Sequence, residues 1–139
     1  AALEALCLEQ LDRPAEANAA WQEAVDFLEL EKEQRPDDFR VHLDLAEPLA
    51  ALGRGDEALA SARRAIELMP MSTDVEAGPA PLESLLMAHL RLGQFDEAFA
   101  PLEALPGESL LTVTRMQLDP RFASFVELPR FAEFQQRSN

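Results

Sequence analysis

A chain of 139 residues, 47% of them hydrophobic, is long and apolar enough to bury a core, which excludes a disordered tail. Its net charge of −14, from 26 acids and 12 bases, opposes phosphate backbones and anionic membranes; it allows a basic protein partner, though most of the acid excess is expected to be a solvated, solubilising face. The single cysteine, Cys7, excludes an intramolecular disulfide framework and fits a cytoplasmic setting, and no apolar run is long enough to span a bilayer.

In chain order, apolar residues at 3, 6, 7, 8 and 11 have helical spacing. Ala1 falls inside that pattern, so the expectation is a piece of a longer protein with its upstream part missing. Asp12–Pro14 reads as a turn, and Pro14 suits the first turn of a second helix with Ala17, Ala20, Trp21, Ala24, Val25 and Leu28 on one stripe. That helix is expected to run through the acidic stretch 29–34 until Pro36 stops it, with Asp37 or Asp38 capping the next. Residues 39–52 place Leu45, Ala46, Leu49 and Leu52 on one face. Pro48 sits inside that pattern and predicts a local kink. Gly53-Arg54-Gly55 breaks the chain. A helix from Asp56 then turns Ala58, Leu59, Ala62, Ala65, Ile66 and Met69 inward and ends at Pro70.

Segment 71–81 is the widest gap, in which Ser72-Thr73-Asp74 can cap a single turn. A stripe of Leu82, Leu85, Leu86, His89, Leu90 and Leu92 follows. Its partner from Asp96 carries Ala98, Phe99, Leu102 and Leu105, contains Pro101, and is expected to be short, ending at Pro106-Gly107. Ser109–Leu118 reads as helix. Asp119-Pro120-Arg121-Phe122 and Leu128-Pro129-Arg130-Phe131 each put Pro at a first-turn position with an aromatic two residues on. Phe122, Phe125, Phe131 and Phe134 are spaced to face inward, as a cap over the open end of an array.

One phrase recurs three times: Leu11-Asp12-Arg13-Pro14-Ala15-Glu16-Ala17, Leu52-Gly53-Arg54-Gly55-Asp56-Glu57-Ala58 and Leu92-Gly93-Gln94-Phe95-Asp96-Glu97-Ala98. Ala58 lies 41 residues after Ala17, and Ala98 lies 40 after Ala58. Such a period predicts stacked supersecondary units. The residues Leu45-Ala46, Leu49, Gly53, Ala58, Ala65 and Pro70, repeated as Leu85, His89, Gly93, Ala98 and as Ala5, Leu8, Ala17, Ala24, resemble the tetratricopeptide repeat family. Small residues there let paired helices approach closely, although the family's period is shorter, about 34 residues. The resemblance implies an all-α solenoid of antiparallel helix pairs over 1–36, 37–78 and 79–106, with capping helices over 107–139. The extra length falls in Leu28–Arg35 and Met71–Gly78. Glu4 stands where the family prefers Leu, as at an exposed edge. A narrower resemblance runs through Ile66–Pro70, Ser72, Asp74, Gly78-Pro79, Leu92-Gly93, Leu105-Pro106, Leu118-Asp119-Pro120 and Pro129-Arg130-Phe131. It is to the ends of bacterial repeat proteins whose upstream parts carry a Ser/Thr kinase, a cyclase or a DNA-binding domain. It implies a regulatory parent protein.

In that family the first helix of each pair builds a concave partner-binding face. Carried over, the second unit offers Arg40, Leu43, Asp44, Glu47, Ala50 and Ala51, and the third offers Ala80, Glu83, Ser84, Met87, Leu90 and Arg91. Relatives that clamp a partner's terminal carboxylate use Lys and Asn at these offsets. Leu43, Glu47, Glu83 and Met87 stand there instead, so the groove is expected to suit a basic or amphipathic protein segment. Its bland counterpart is a solvated helix face. Trp21 and His89 are expected as packing residues. His42, Asp44 and Glu47 fall on two helix faces without a second His, so no metal is expected. Cys7 has acids at Glu4 and Glu9, the wrong neighbours for a nucleophile. No phosphate-cradling loop and no Ser/His/Asp set appears, so neither cofactor nor catalysis is expected. Two rival readings remain. One is self-association or docking within the parent through Leu3, Leu6 and Leu11. The other is a hydrolytic site around His42 and Glu47.

Overall fold

The structure, a computed structural model, describes residues 2–70, 79–105 and 110–138. Among these every regular element is helical. The expected turn at Ser72–Asp74, the added length at Met71–Gly78 and the stop at Pro106-Gly107 lie outside the described residues.

Helix α1 spans Ala2–Gln10 and α2 spans Pro14–Gln34, with Pro14 at its start. The acidic stretch does continue α2 up to Pro36. Asp38 then caps α3, Phe39–Ala51, accepting the Arg40 backbone N–H at 3.0 Å. Helix α4 is Gly55–Leu68, α5 is Pro79–Arg91 and α6 is Phe95–Ala104. The tail forms α7, Leu110–Leu118, a 3-10 turn at Pro120–Phe122, α8, Ala123–Val126, and α9, Pro129–Ser138. No helix among the described residues is long and apolar enough to cross a membrane.

Pro48, where a local kink or irregularity is expected, lies inside α3, which runs on to Ala51. Proline removes one helical donor, the one that would have reached the Asp44 carbonyl, and its ring is buried among the core side chains. Burial of the ring compensates for the missing hydrogen bond.

The three recurring phrases are one backbone motif. Asp12, Gly53 and Gly93 have φ of 56°, 78° and 71°. The next residue's N–H reaches back in each case, Arg13 to the Leu8 carbonyl at 3.0 Å, Arg54 to Leu49 at 2.9 Å and Gln94 to His89 at 2.9 Å. The companion bonds of shorter span, Asp12 to Glu9, Gly53 to Ala50 and Gly93 to Leu90, complete a Schellman cap each time. The left-handed residue sends the chain back, so α1 packs on α2, α3 on α4 and α5 on α6. These pairs touch in turn through α2–α3, α4–α5 and α3–α5.

The small residues lie at the crossings. Ala17, Ala58 and Ala98 are buried, as are Ala5, Ala46 and Leu86 at matching places on the preceding helices. A first core cluster joins Ala5, Ala20 and Trp21, and a second joins Val25, Val41, Leu45, Leu49, Ala58 and Ala88. A third joins Leu86, Leu90, Phe99 and Leu102 to Met116, Phe122, Phe125 and Phe131 of the tail. Phe125 is its hub, with ring centroids 4.7 Å from Phe99, 5.5 Å from Phe95 and 5.6 Å from Phe131. The four tail phenylalanines therefore do turn inward, Phe134 only partly, and cover the α5–α6 pair.

Candidate functional site

An open groove of about 560 Å³ lies between the α1–α2 hairpin and the helices α3, α5 and α7. Its apolar surface comes from Leu6, Trp21, Phe27, Leu28, Leu43 and Met87, and its polar groups are Asp44, Glu47, Glu83, Ser84 and Arg115. Phe27 is 62% exposed, a large apolar side chain open to water at the groove's edge.

Seven of the residues expected on the concave face meet here: Leu43, Asp44, Glu47, Ala80, Glu83, Ser84 and Met87, the last almost fully buried. Ser84 also braces the wall, its hydroxyl donating to the Leu43 carbonyl at 2.9 Å and tying α5 to α3. Arg40 lies outside this groove, in an adjoining hollow with Asp38, Asp44 and Phe27. It bonds the Asp38 carboxylate at 3.1 Å through both Nε and Nη2. Ala51 packs on the Ala5–Trp21 cluster and Ala50 is buried.

Leu90 and Arg91 correct the expectation. Leu90 is 3% exposed, inside the third core cluster, because the tail folds over that side of α5. The Arg91 side chain is 6% exposed. Its Nε donates to Glu47 Oε1 at 2.9 Å, and its Nη1 donates to both Glu9 oxygens at 3.2 Å. Its guanidinium carbon stands 5.0 Å from the centroid of the Trp21 ring. The remaining nitrogen, Nη2, is buried without a hydrogen bond. The Trp21 indole N–H in turn donates to Glu9 at 2.5 Å, and Arg115 Nη2 donates to Glu47 Oε1 at 2.5 Å. One ionic chain thus runs behind the groove through Glu9 on α1, Arg91 on α5, Glu47 on α3 and Arg115 on α7. Neither Leu90 nor Arg91 presents a surface to a partner.

The groove's acids are in unlike states. Burial pushes the Glu47 carboxyl up, but the guanidiniums of Arg91 and Arg115 outweigh it and hold the group below its ordinary range. Asp44 is pushed up, by partial desolvation first and then by the nearby Asp38 charge, with Arg40 only partly offsetting both. Arg40 is committed to Asp38, whose carboxyl it pulls down through side-chain and backbone hydrogen bonds. Asp44 and Glu83 form no ion pair among the described residues. Glu47 is therefore a neutralised structural carboxylate, while Asp44 and Glu83 give the groove its negative field.

The candidates for chemistry have structural duties. His42 Nε2 lies 2.6 Å from the Pro36 carbonyl, pinning the loop before α3. His89 is buried with Nδ1 2.8 Å from Gln94 Oε1, inside the turn to α6. No group of three His, Cys, Asp or Glu side chains among the described residues converges as metal ligands.

Sequence reasoning missed α2 as a groove wall and Glu9, Trp21 and Arg115 as supports of its floor. A signal existed in the repeat register. Glu9 occupies the place that the sibling hairpins fill with Ala50 and Leu90, and Arg91 the place filled by Gln10 and Ala51. A charge where sibling units carry uncharged residues marks a partner charge nearby. Comparison of the chain with family models, with curated proteins and with solved structures finds no match.

Proposed function

We propose that the chain is a protein–protein interaction module of tetratricopeptide type. In this reading its hairpins stack as an open solenoid, its tail closes one end, and its groove receives an amphipathic, basic segment of a partner within a bacterial regulatory assembly of the cytoplasm. One observation carries the reading. Asp44 and Glu83 stand beside exposed apolar surface and form no ion pair among the described residues, an arrangement that a lysine- or arginine-bearing helix completes. Apolar residues of such a helix fit over Leu6, Phe27 and Leu28, and its bases reach the two carboxylates. Binding rather than catalysis also suits the structural contacts of Glu47, His42 and His89.

Trp21, the only tryptophan, lines the groove and makes its own reporter. An amphipathic Leu/Lys helical peptide is titrated against the chain, with its Leu/Glu counterpart as control. The basic peptide is expected to change the Trp21 emission and to bind at least about tenfold more weakly to an Asp44→Lys, Glu83→Lys double variant. Its binding is also expected to weaken with added salt. Equal binding of both peptides, or no loss in the double variant, overturns the reading.

A further inference from the structure

We infer that Arg115 is a built-in competitor for the groove: its guanidinium holds, on Glu47, the place of one of the partner's bases, so the tail sets how tightly a basic segment binds. The inference rests on the reading of the groove as a site for such a segment. Asp44 and Glu47 stand three residues apart on α3, neighbours on one helix face, and both line the groove with Glu83 of α5. Two of these three carboxylates, Asp44 and Glu83, form no ion pair among the described residues. The third carries two guanidiniums on one oxygen, with Arg91 Nε at 2.9 Å and Arg115 Nη2 at 2.5 Å from Glu47 Oε1.

The two guanidiniums differ in kind. Arg91 reaches Glu47 from behind the groove, nearly buried, bonded also to Glu9 and stacked on Trp21. Arg115 is 36% exposed, lines the groove itself, and its guanidinium bonds no described residue but Glu47. It arrives from α7, 68 positions beyond Glu47. That helix, of nine residues, has one base and no acid. An apolar segment with a single base is the chemistry proposed for the groove's occupant, so the tail supplies part of its own ligand. Met116, the next residue, is buried in the third core cluster, and Val113 packs against that cluster. Helix α7 therefore stays seated while the Arg115 side chain turns out into solvent. Exchange of Arg115 for a partner's lysine trades one partly exposed ion pair for another, a step of small net cost.

The test titrates the Leu/Lys helical peptide, through Trp21 emission, against the parent chain and against Arg115→Gln, Arg115→Lys and Arg64→Gln. Arg115→Gln uncovers Glu47 on its groove side and is expected to bind the peptide about three- to fivefold more tightly, the equivalent of one partly exposed ion pair. Arg115→Lys keeps a competing cation, and Arg64→Gln removes the same charge from α4 outside the groove, so both are expected to bind as the parent does. The gain of Arg115→Gln is expected to vanish when it is combined with Glu47→Gln, a double-mutant cycle that reports the pairing itself. A parent that binds as tightly as Arg115→Gln overturns the inference and leaves the groove reading standing. So does a gain matched by Arg64→Gln or retained beside Glu47→Gln. Failure of the parent and Arg115→Gln alike to bind the peptide overturns both, while binding by Arg115→Gln alone upholds both.

Discussion

Arg91 on α5 lays its guanidinium 5.0 Å from the ring centroid of Trp21 on α2, joining two residues 70 positions apart in the chain. The contact links the first hairpin to the third without passing through the second. It is possible because the second hairpin contributes Glu47 from below, which removes the charge that would otherwise bar a buried arginine. The groove in front of this stack therefore has a floor fixed by three hairpins at once.

Loss of the Arg91 guanidinium is expected to loosen that floor. Arg91→Met keeps much of the packing volume but leaves Glu9 and Glu47 without it. Both carboxylates retain about a fifth of their exposure, and Glu47 keeps Arg115. The expected loss is about 2–3 kcal/mol, below the ~3–5 kcal/mol of a fully buried pair. Arg91→Lys keeps the charge and loses the flat stack and the fork that serves two carboxylates, so it recovers only part of the stability. Urea unfolding followed through Trp21 fluorescence measures both. A variant as stable as the parent would show that the ionic chain contributes nothing.

Acid separates the two carboxylates of the groove. The Glu47 pKa is lowered on folding, so its stabilising effect is complete above its unfolded value, near 4.5, and is lost as pH falls through the lower folded value. The Asp44 pKa is raised, so the ionised group weakens the fold at neutral pH and that cost disappears as pH falls through its folded value. Glu47→Gln is expected to be less stable than the parent at pH 7, with the difference shrinking in acid. Asp44→Asn is expected to be more stable at pH 7, with its advantage also shrinking in acid, while binding the basic peptide less well. Melting temperature against pH for the three proteins checks the signs. An Asp44→Asn variant destabilised at pH 7 contradicts them.

The hairpins were legible in the sequence because each turn needs one residue in the left-handed region and each crossing needs a small one, and both demands leave letters at fixed offsets. Gly53, Gly93, Ala58 and Ala98 carry that information alone. The tail was legible for a different reason, since Phe122, Phe125 and Phe131 have no place to go but inward. The groove was half legible. Leu43, Asp44, Glu83 and Met87 follow from their register on α3 and α5. Phe27 does not, nor does the place of Trp21 and Leu28 on the groove's wall, because both depend on how α2 tilts against α3, which no local pattern records. Leu90 and Arg91 were misplaced for the same reason, since the tail and the ionic chain that bury them come from other parts of the chain.

Asp12 is the one non-glycine residue among the described residues with a positive φ, and it stands where its siblings have Gly53 and Gly93. An L-residue in this region costs about 1–2 kcal/mol, least for Asp and Asn, while glycine adds unfolded-state entropy of about 0.4–1 kcal/mol. The two terms nearly cancel for aspartate, so Asp12→Gly is expected to change stability by no more than about 0.5 kcal/mol in either direction. The cancellation fails for alanine, which has no side-chain oxygen to bond the local backbone. Gly53→Ala is expected to cost about 1 kcal/mol even though a Cβ there meets nothing within 4 Å. Strain in the backbone, with no clash to relieve, is then the whole of the effect. Denaturant unfolding of Asp12→Gly, Gly53→Ala and Gly53→Asp tests it: Gly53→Asp should fall between Gly53→Ala and the parent, and a Gly53→Ala protein as stable as the parent would mean that the turn does not require its left-handed residue.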